Sequence, residues 1–123
     1  MKLPLTQAIR AVQTEIRWKP HSAARHLRKR KLMEHLPNEA TMSDYESLIL
    51  QVVNDDLAKV YLFWYGQVAY ITIVTTIQET LWLVMFGLDG LMETAFVIDI
   101  PNYLVESQYE EIGLLREVMA HGA

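Results

Sequence analysis

Between Lys59 and Ile98 the chain has a pattern that few folds can accommodate. Four runs rich in β-branched and aromatic residues, VYLFWY, VAYITIVTT, TLWLVMFG and LMETAFVI, follow one another. Only Gly66-Gln67, Gln78-Glu79 and Asp89-Gly90 interrupt them. Such side chains suit a pleated, half-buried surface. Gly66-Gln67 and Asp89-Gly90 fit short hairpin turns, which need positive φ at their centre. Strands joined this way neighbour one another, so the segment predicts a four-stranded antiparallel meander. The second and third runs are apolar at nearly every position. That predicts cover on both sheet faces, from the last helix or from a partner chain, a homodimer included.

Helical periodicity flanks the sheet. Leu5, Ile9, Val12 and Ile16 recur at helical spacing and predict a helix over 5–17, capped by Thr6 and broken at Lys19-Pro20. A second helix is expected from about Ser22 to Glu34, with Ala24 and Leu27 inward and Arg, Lys and His outward. After a connector over 35–42, Ser43-Asp44-Tyr45-Glu46 reads as a capping box for a third helix ending near Asn54. Beyond Asp99-Ile100-Pro101-Asn102, a last helix is expected from Tyr103 to Met119, kinked near Gly113. The fold class expected is therefore α+β: N-terminal helices, a four-stranded antiparallel meander, and a C-terminal helix. At 123 residues it fits a single domain. Within it, residues 1–19 form a helical extension, 20–99 the core and 100–123 the closing helix.

Charge is unevenly distributed. The net charge is −4, yet nine of the eleven Lys and Arg lie in residues 1–31 with Glu15 as the lone acid. Seven of them fall between Arg17 and Lys31. A basic element on an acidic body points to a polyanion such as RNA; pairing of the basic helix with the acidic remainder explains the pattern equally well. There are no cysteines, which removes disulfides, thiolate metal sites and a Cys nucleophile. No signal-peptide pattern or bilayer-length apolar run is evident, so a cytoplasmic protein without membrane contact is expected.

The histidines are His21, His26, His35 and His121, with no His-Glu-x-x-His pattern. No Gly-rich phosphate loop and no Gly-x-Ser-x-Gly elbow is present, so neither a metal nor another cofactor is expected. The segment HSAARHLRKRK carries the remaining chemistry. His21, Arg25 and either Arg28 or Lys29 fall at i, i+4 and i+7 or i+8, on one helical face, with His26 and Arg30 on a neighbouring face. A histidine beside fixed cations suits RNA cleavage. The cations hold phosphate, the imidazole moves a proton, and the 2′-hydroxyl of the RNA is the nucleophile. A solvated basic face is the plain alternative.

The layout resembles the barnase–EndoU–colicin–RelE-like superfamily of small RNases, its short bacterial and phage-borne members above all. These open with a helix carrying His-x-x-x-Arg and a further basic residue, matched here by His21, Arg25 and Lys29. The match continues through DYESLILQVVNDD, AKVYLFWYG, VAYITIVTT and LWLVMFGLDG, covering roughly residues 20–99. Thr94-Ala95-Phe96 falls where the closing strand of such proteins carries Ser or Thr before a hydrophobic pair. The resemblance implies metal-independent RNA cleavage of the toxin or effector type, controlled by an antitoxin or immunity-type protein. It implies His21 in proton transfer, Arg25 and Lys29 on phosphate, and Thr94 hydrogen bonding in the cleft. Arg28, Tyr61 and Tyr70 are further substrate-binding candidates, the tyrosines by stacking on a base. Apart from Lys59 the four strands hold no basic residue, unlike ribosome-dependent RelE-type toxins.

A second expectation comes from another class: a non-enzymatic acidic protein, of the phage or plasmid inhibitor type, that occupies a partner's basic groove. Glu106, Glu110, Glu111 and Glu117 would be its surface and Trp64, Trp82 and Phe86 its anchors.

Overall fold

A computed structural model describes residues 4–121; Lys2, counted among the basic residues, and Gly122 and Ala123 at the end of the expected last helix lie outside them. Helix α1 spans Leu5–Thr14, α2 Ala23–Leu32 and α3 Met42–Val53. The strands follow: β1 Lys59–Tyr65, β2 Val68–Ile77, β3 Thr80–Gly87 and β4 Met92–Val97. A 3₁₀ turn at Tyr103–Val105 leads to β5, Tyr109–Leu114, and α4, Leu115–His121.

The meander forms as its turn residues demand. Gly66 takes φ +63 as the first of two residues joining β1 to β2, where Tyr65 pairs with Val68. Gln78 and Glu79 both take positive φ, +49 and +68, between the paired Ile77 and Thr80. That is the type I′ requirement, met without glycine. The β3–β4 connection is wider than Asp89-Gly90 alone: Gly87 N–H donates to the Leu91 carbonyl at 3.0 Å, and Asp89 Oδ1 accepts from Leu91 N–H.

Among the described residues the sheet has five strands, not four, in the order β4-β3-β2-β1-β5, all antiparallel. The fifth comes from the segment expected as a long last helix. Residues 109–114 pair with β1 instead, Tyr109 opposite Phe63 and Glu111 opposite Tyr61. Val60 then faces Gly113, which leaves Ile112 as the extra residue of a bulge. Gly113 at φ +152 supplies backbone freedom there. The Glu-rich sequence favours helix locally, but an unpaired β1 edge and an aromatic cluster override it. Tyr109 packs on Phe63, Tyr61 and Tyr103 with ring centroids 4.9, 6.3 and 5.7 Å away.

Each sheet face is covered by this chain itself. On one face Val60, Ile71, Ile73, Val84, Phe86 and Ala95 pack under α1, α3 and α4, whose Ile9, Val12, Ile49, Val52 and Leu115 are buried. The N-terminal segment is thus part of the core. On the other face Tyr61, Val74, Leu83 and Met85 lie under the segment that runs from β4 across the sheet to β5, through Ile98, Tyr103 and Leu104. The near-continuous apolar runs follow from this double cover.

Two local expectations shift. The capping box of α3 is built by Thr41 and Asp44, two residues earlier than Ser43-Glu46: Thr41 Oγ1 accepts from Asp44 N–H at 3.1 Å, and Asp44 Oδ2 accepts from Thr41 N–H at 2.8 Å. Glu46 instead accepts from Trp18 Nε1 at 2.9 Å. Helix α1 ends at Thr14 and is preceded by Pro4 as its cap, with Thr6 buried in its first turn. The chain then extends so that Trp18 bridges Met92, and Met92 N–H donates to the Arg17 carbonyl. No helix among the described residues is long and apolar enough to cross a membrane.

Candidate functional site

Helix α2 lies beside edge strand β4 and against α3. Leu27 turns into the main core, which fixes the roll of the helix. That roll points Arg25, His26, Lys29 and Arg30 toward a cleft of about 510 Å³. Glu93, Thr94 and Phe96 of β4 form its floor, and Ile98–Ile100 with Tyr103 form the far wall. A bulge in β4 sets the floor. Met85 pairs with Thr94 and Phe86 with Met92, so Glu93 is the additional residue, and Thr94 and Phe96 face away from the main core.

At the centre, Thr94 Oγ1 lies 3.5 Å from His26 Nδ1. The His26 ring stacks on Trp18 at 5.5 Å, which holds its plane. Desolvation lowers the pKa of His26 below 6.5, and Arg25, Arg30 and Lys29 lower it further, while Glu93 opposes them. Neutral imidazole therefore predominates near neutral pH, the form able to accept a proton. Among the described residues, Arg25, Lys29 and Arg30 have no carboxylate within ion-pair distance. Glu93 is already paired with Lys19, whose own pKa is raised chiefly by that bond. The cleft thus presents unpaired cations and a neutral base on one wall, and a hydroxyl on the floor. Such a surface can hold an anion and move a proton beside it.

The structure brings Arg25, Lys29 and Thr94 of the sequence candidates into this cleft and leaves the others out. His21 is exposed and takes φ +65 in the turn before Ser22, the N-cap of α2. Outside the helix it does not follow the helical repeat, so the i, i+4 alignment with Arg25 fails. Arg28 is exposed and lies outside the cleft-lining set. Tyr61 is 5% exposed within the second core cluster, and burial raises its pKa. Tyr70 lines a separate depression, with the Lys19 ammonium 5.9 Å from its ring centroid. Trp82 and Phe86 are core residues, which removes two of the three anchors expected for an inhibitor surface.

His26 was legible. The spacing His-x-x-x-Arg occurs twice in succession, as His21…Arg25 and His26…Arg30. A helix that begins after Ser22 contains only the second pair. No family model, curated protein or solved structure matches this chain.

Proposed function

We propose that this protein is a metal-independent RNA endonuclease of the small-RNase type, with His26 as proton acceptor. The observation that carries this reading is the neutral-poised His26 facing the Thr94 hydroxyl across a cleft walled by the unpaired cations Arg25 and Lys29. The resemblance of the element order, helices followed by an antiparallel meander, to the barnase–EndoU–colicin–RelE-like RNases favours it too. Arg25 and Lys29 hold the non-bridging oxygens of a phosphodiester. His26 takes the proton of the adjacent 2′-hydroxyl, and that oxygen attacks phosphorus. The bond from phosphorus to the 5′-oxygen breaks, the departing oxygen gains a proton from water, and a 2′,3′-cyclic phosphate remains. Thr94 orients the imidazole or the phosphate by hydrogen bonding.

The test is cleavage of mixed-sequence RNA in EDTA. Wild type and His21→Ala are expected to give 2′,3′-cyclic phosphate ends at similar rates. His26→Ala is expected to lose about 10²–10⁴-fold, the usual worth of a general base. Equal cleavage by wild type and His26→Ala, or cleavage by neither, would overturn the assignment.

A further inference from the structure

Among the described residues Arg30 is the buried cation. It is 3% exposed although its helix has an open outer side along which a long side chain could reach water. All its partners are neutral. Nη1 bonds His35 Nδ1 at 3.1 Å, Nη2 donates to Met33 Sδ at 3.7 Å, and the guanidinium carbon sits 5.6 Å from the Phe96 ring centroid. Among the described residues Nε has no hydrogen-bond partner, and neither does the buried Nε2 of His35. Burial lowers the pKa of Arg30, yet a guanidinium keeps its proton, so the charge stays inside. Buried charges are ordinarily paired.

The unsatisfied edge is informative. Nε and Nη2 together form the side-on fork with which arginine takes carboxylate or phosphate through two parallel bonds. Among the described residues that fork meets only a thioether, a weak acceptor, on a residue that is 49% exposed. His35 occupies the opposite edge and is itself fixed by accepting from Val97 N–H at 3.2 Å. Its role is to aim the guanidinium. His26 and Arg30 are one helical turn apart, about 6 Å along the axis, close to the length of one extended nucleotide.

We propose that Arg30, aimed by His35 and covered by Met33, is a second phosphate subsite that binds the phosphate next to the scissile one. This rests on the RNA reading of the cleft and deepens it: the ligand is a strand with at least two phosphates. Met33 swings outward as the phosphate seats on Nε and Nη2.

Deoxyribose probes bind without being cut, because they lack the 2′-hydroxyl. Binding of the dinucleotide dTpdA, with one phosphate, is compared with dTpdAp, which adds a 3′-phosphate. Wild type is expected to bind dTpdAp at least about tenfold more tightly, the worth of a charge-assisted bond. The gap should close in Arg30→Lys, which keeps the charge but loses the fork, and in Arg30→Met, which keeps the bulk, while both still bind dTpdA. A gap that persists in these variants, or is missing in wild type that binds dTpdA, overturns the subsite and leaves the RNA reading standing. Failure of wild type to bind either probe overturns both. If the variants do not fold, the Arg30 Nε–H signal of wild type in NMR decides. Movement with dTpdAp but not dTpdA supports the subsite, and no movement with either overturns it. Inorganic phosphate serves as a third arm: a signal that moves with free phosphate but not with dTpdAp means a site for the free ion, and the proposal fails.

Discussion

His35 accepts two hydrogen bonds at one nitrogen, from Val97 N–H and from Arg30 Nη1, so its Nδ1 cannot carry a proton in the folded state. Desolvation is the largest cause of its lowered pKa; Arg30 adds to the shift and Asp99 opposes it. A pKa held below 6.5 in the fold means that the unfolded chain binds the proton more readily. The stability contributed is full above that value and is lost as pH falls through the folded pKa. Urea midpoints should therefore be flat near neutrality and drop as the solution is acidified below about pH 6.5, the unperturbed histidine value. In His35→Gln the drop should shrink without vanishing, because His26 is shifted in the same direction. A drop of unchanged size in that variant would remove His35 from the account. At this scale the sequence was informative about residue types and less so about which of them meet. The α2 cations Arg25 and Lys29 were legible from helical spacing and Thr94 came only from the family resemblance, whereas the left-handed turn at His21 carries no glycine or asparagine to announce it.

Helix and turn chemistry make sharper tests. Two overlapping capping patterns precede α3, and only Thr41 with Asp44 closes. Thr41→Ala should destabilise by about 1 kcal/mol, as loss of a cap does. Ser43→Ala, a change on the helix surface, should stay within ~0.5 kcal/mol. The reverse order in chemical denaturation would restore the Ser43 box. The β2–β3 turn holds Gln78 and Glu79 at positive φ, a conformation that costs non-glycine residues roughly 1–2 kcal/mol each. Replacing them by Asn-Gly, the pair that type I′ turns favour, should raise stability by about 1 kcal/mol or more. An unchanged or lower urea midpoint would mean that this turn is not strained. The four meander strands were legible because runs of β-branched and aromatic residues, and the turns between them, are local signals. Strand β5 was not, because YEEIGL carries no turn signal before it and sits in a Glu-rich stretch, and it becomes a strand only against the open edge of β1.

Across the whole molecule, a chain of net charge −4 carries seven of its eleven Lys and Arg on one short stretch, and the fold divides even that stretch. Lys19 is spent on Glu93, and Arg17 lies near Glu15 at 4.0 Å. His21 and Arg28 point elsewhere, so Arg25, Lys29 and Arg30 are the fixed cations that line the cleft. Salt dependence separates two pictures of RNA binding. For single strands, the logarithm of the binding constant falls with the logarithm of salt by about 0.7 per phosphate neutralised. Three cleft cations give a slope of about −2, whereas coating by all seven cations of residues 17–31 gives about −5. A slope near −2 that loses about 0.7 in Lys29→Met fits binding in the cleft, with the acidic remainder repelling RNA from other surfaces. A slope near −5, insensitive to that substitution, would mean that the basic segment coats the strand and that the cleft is not where RNA lies.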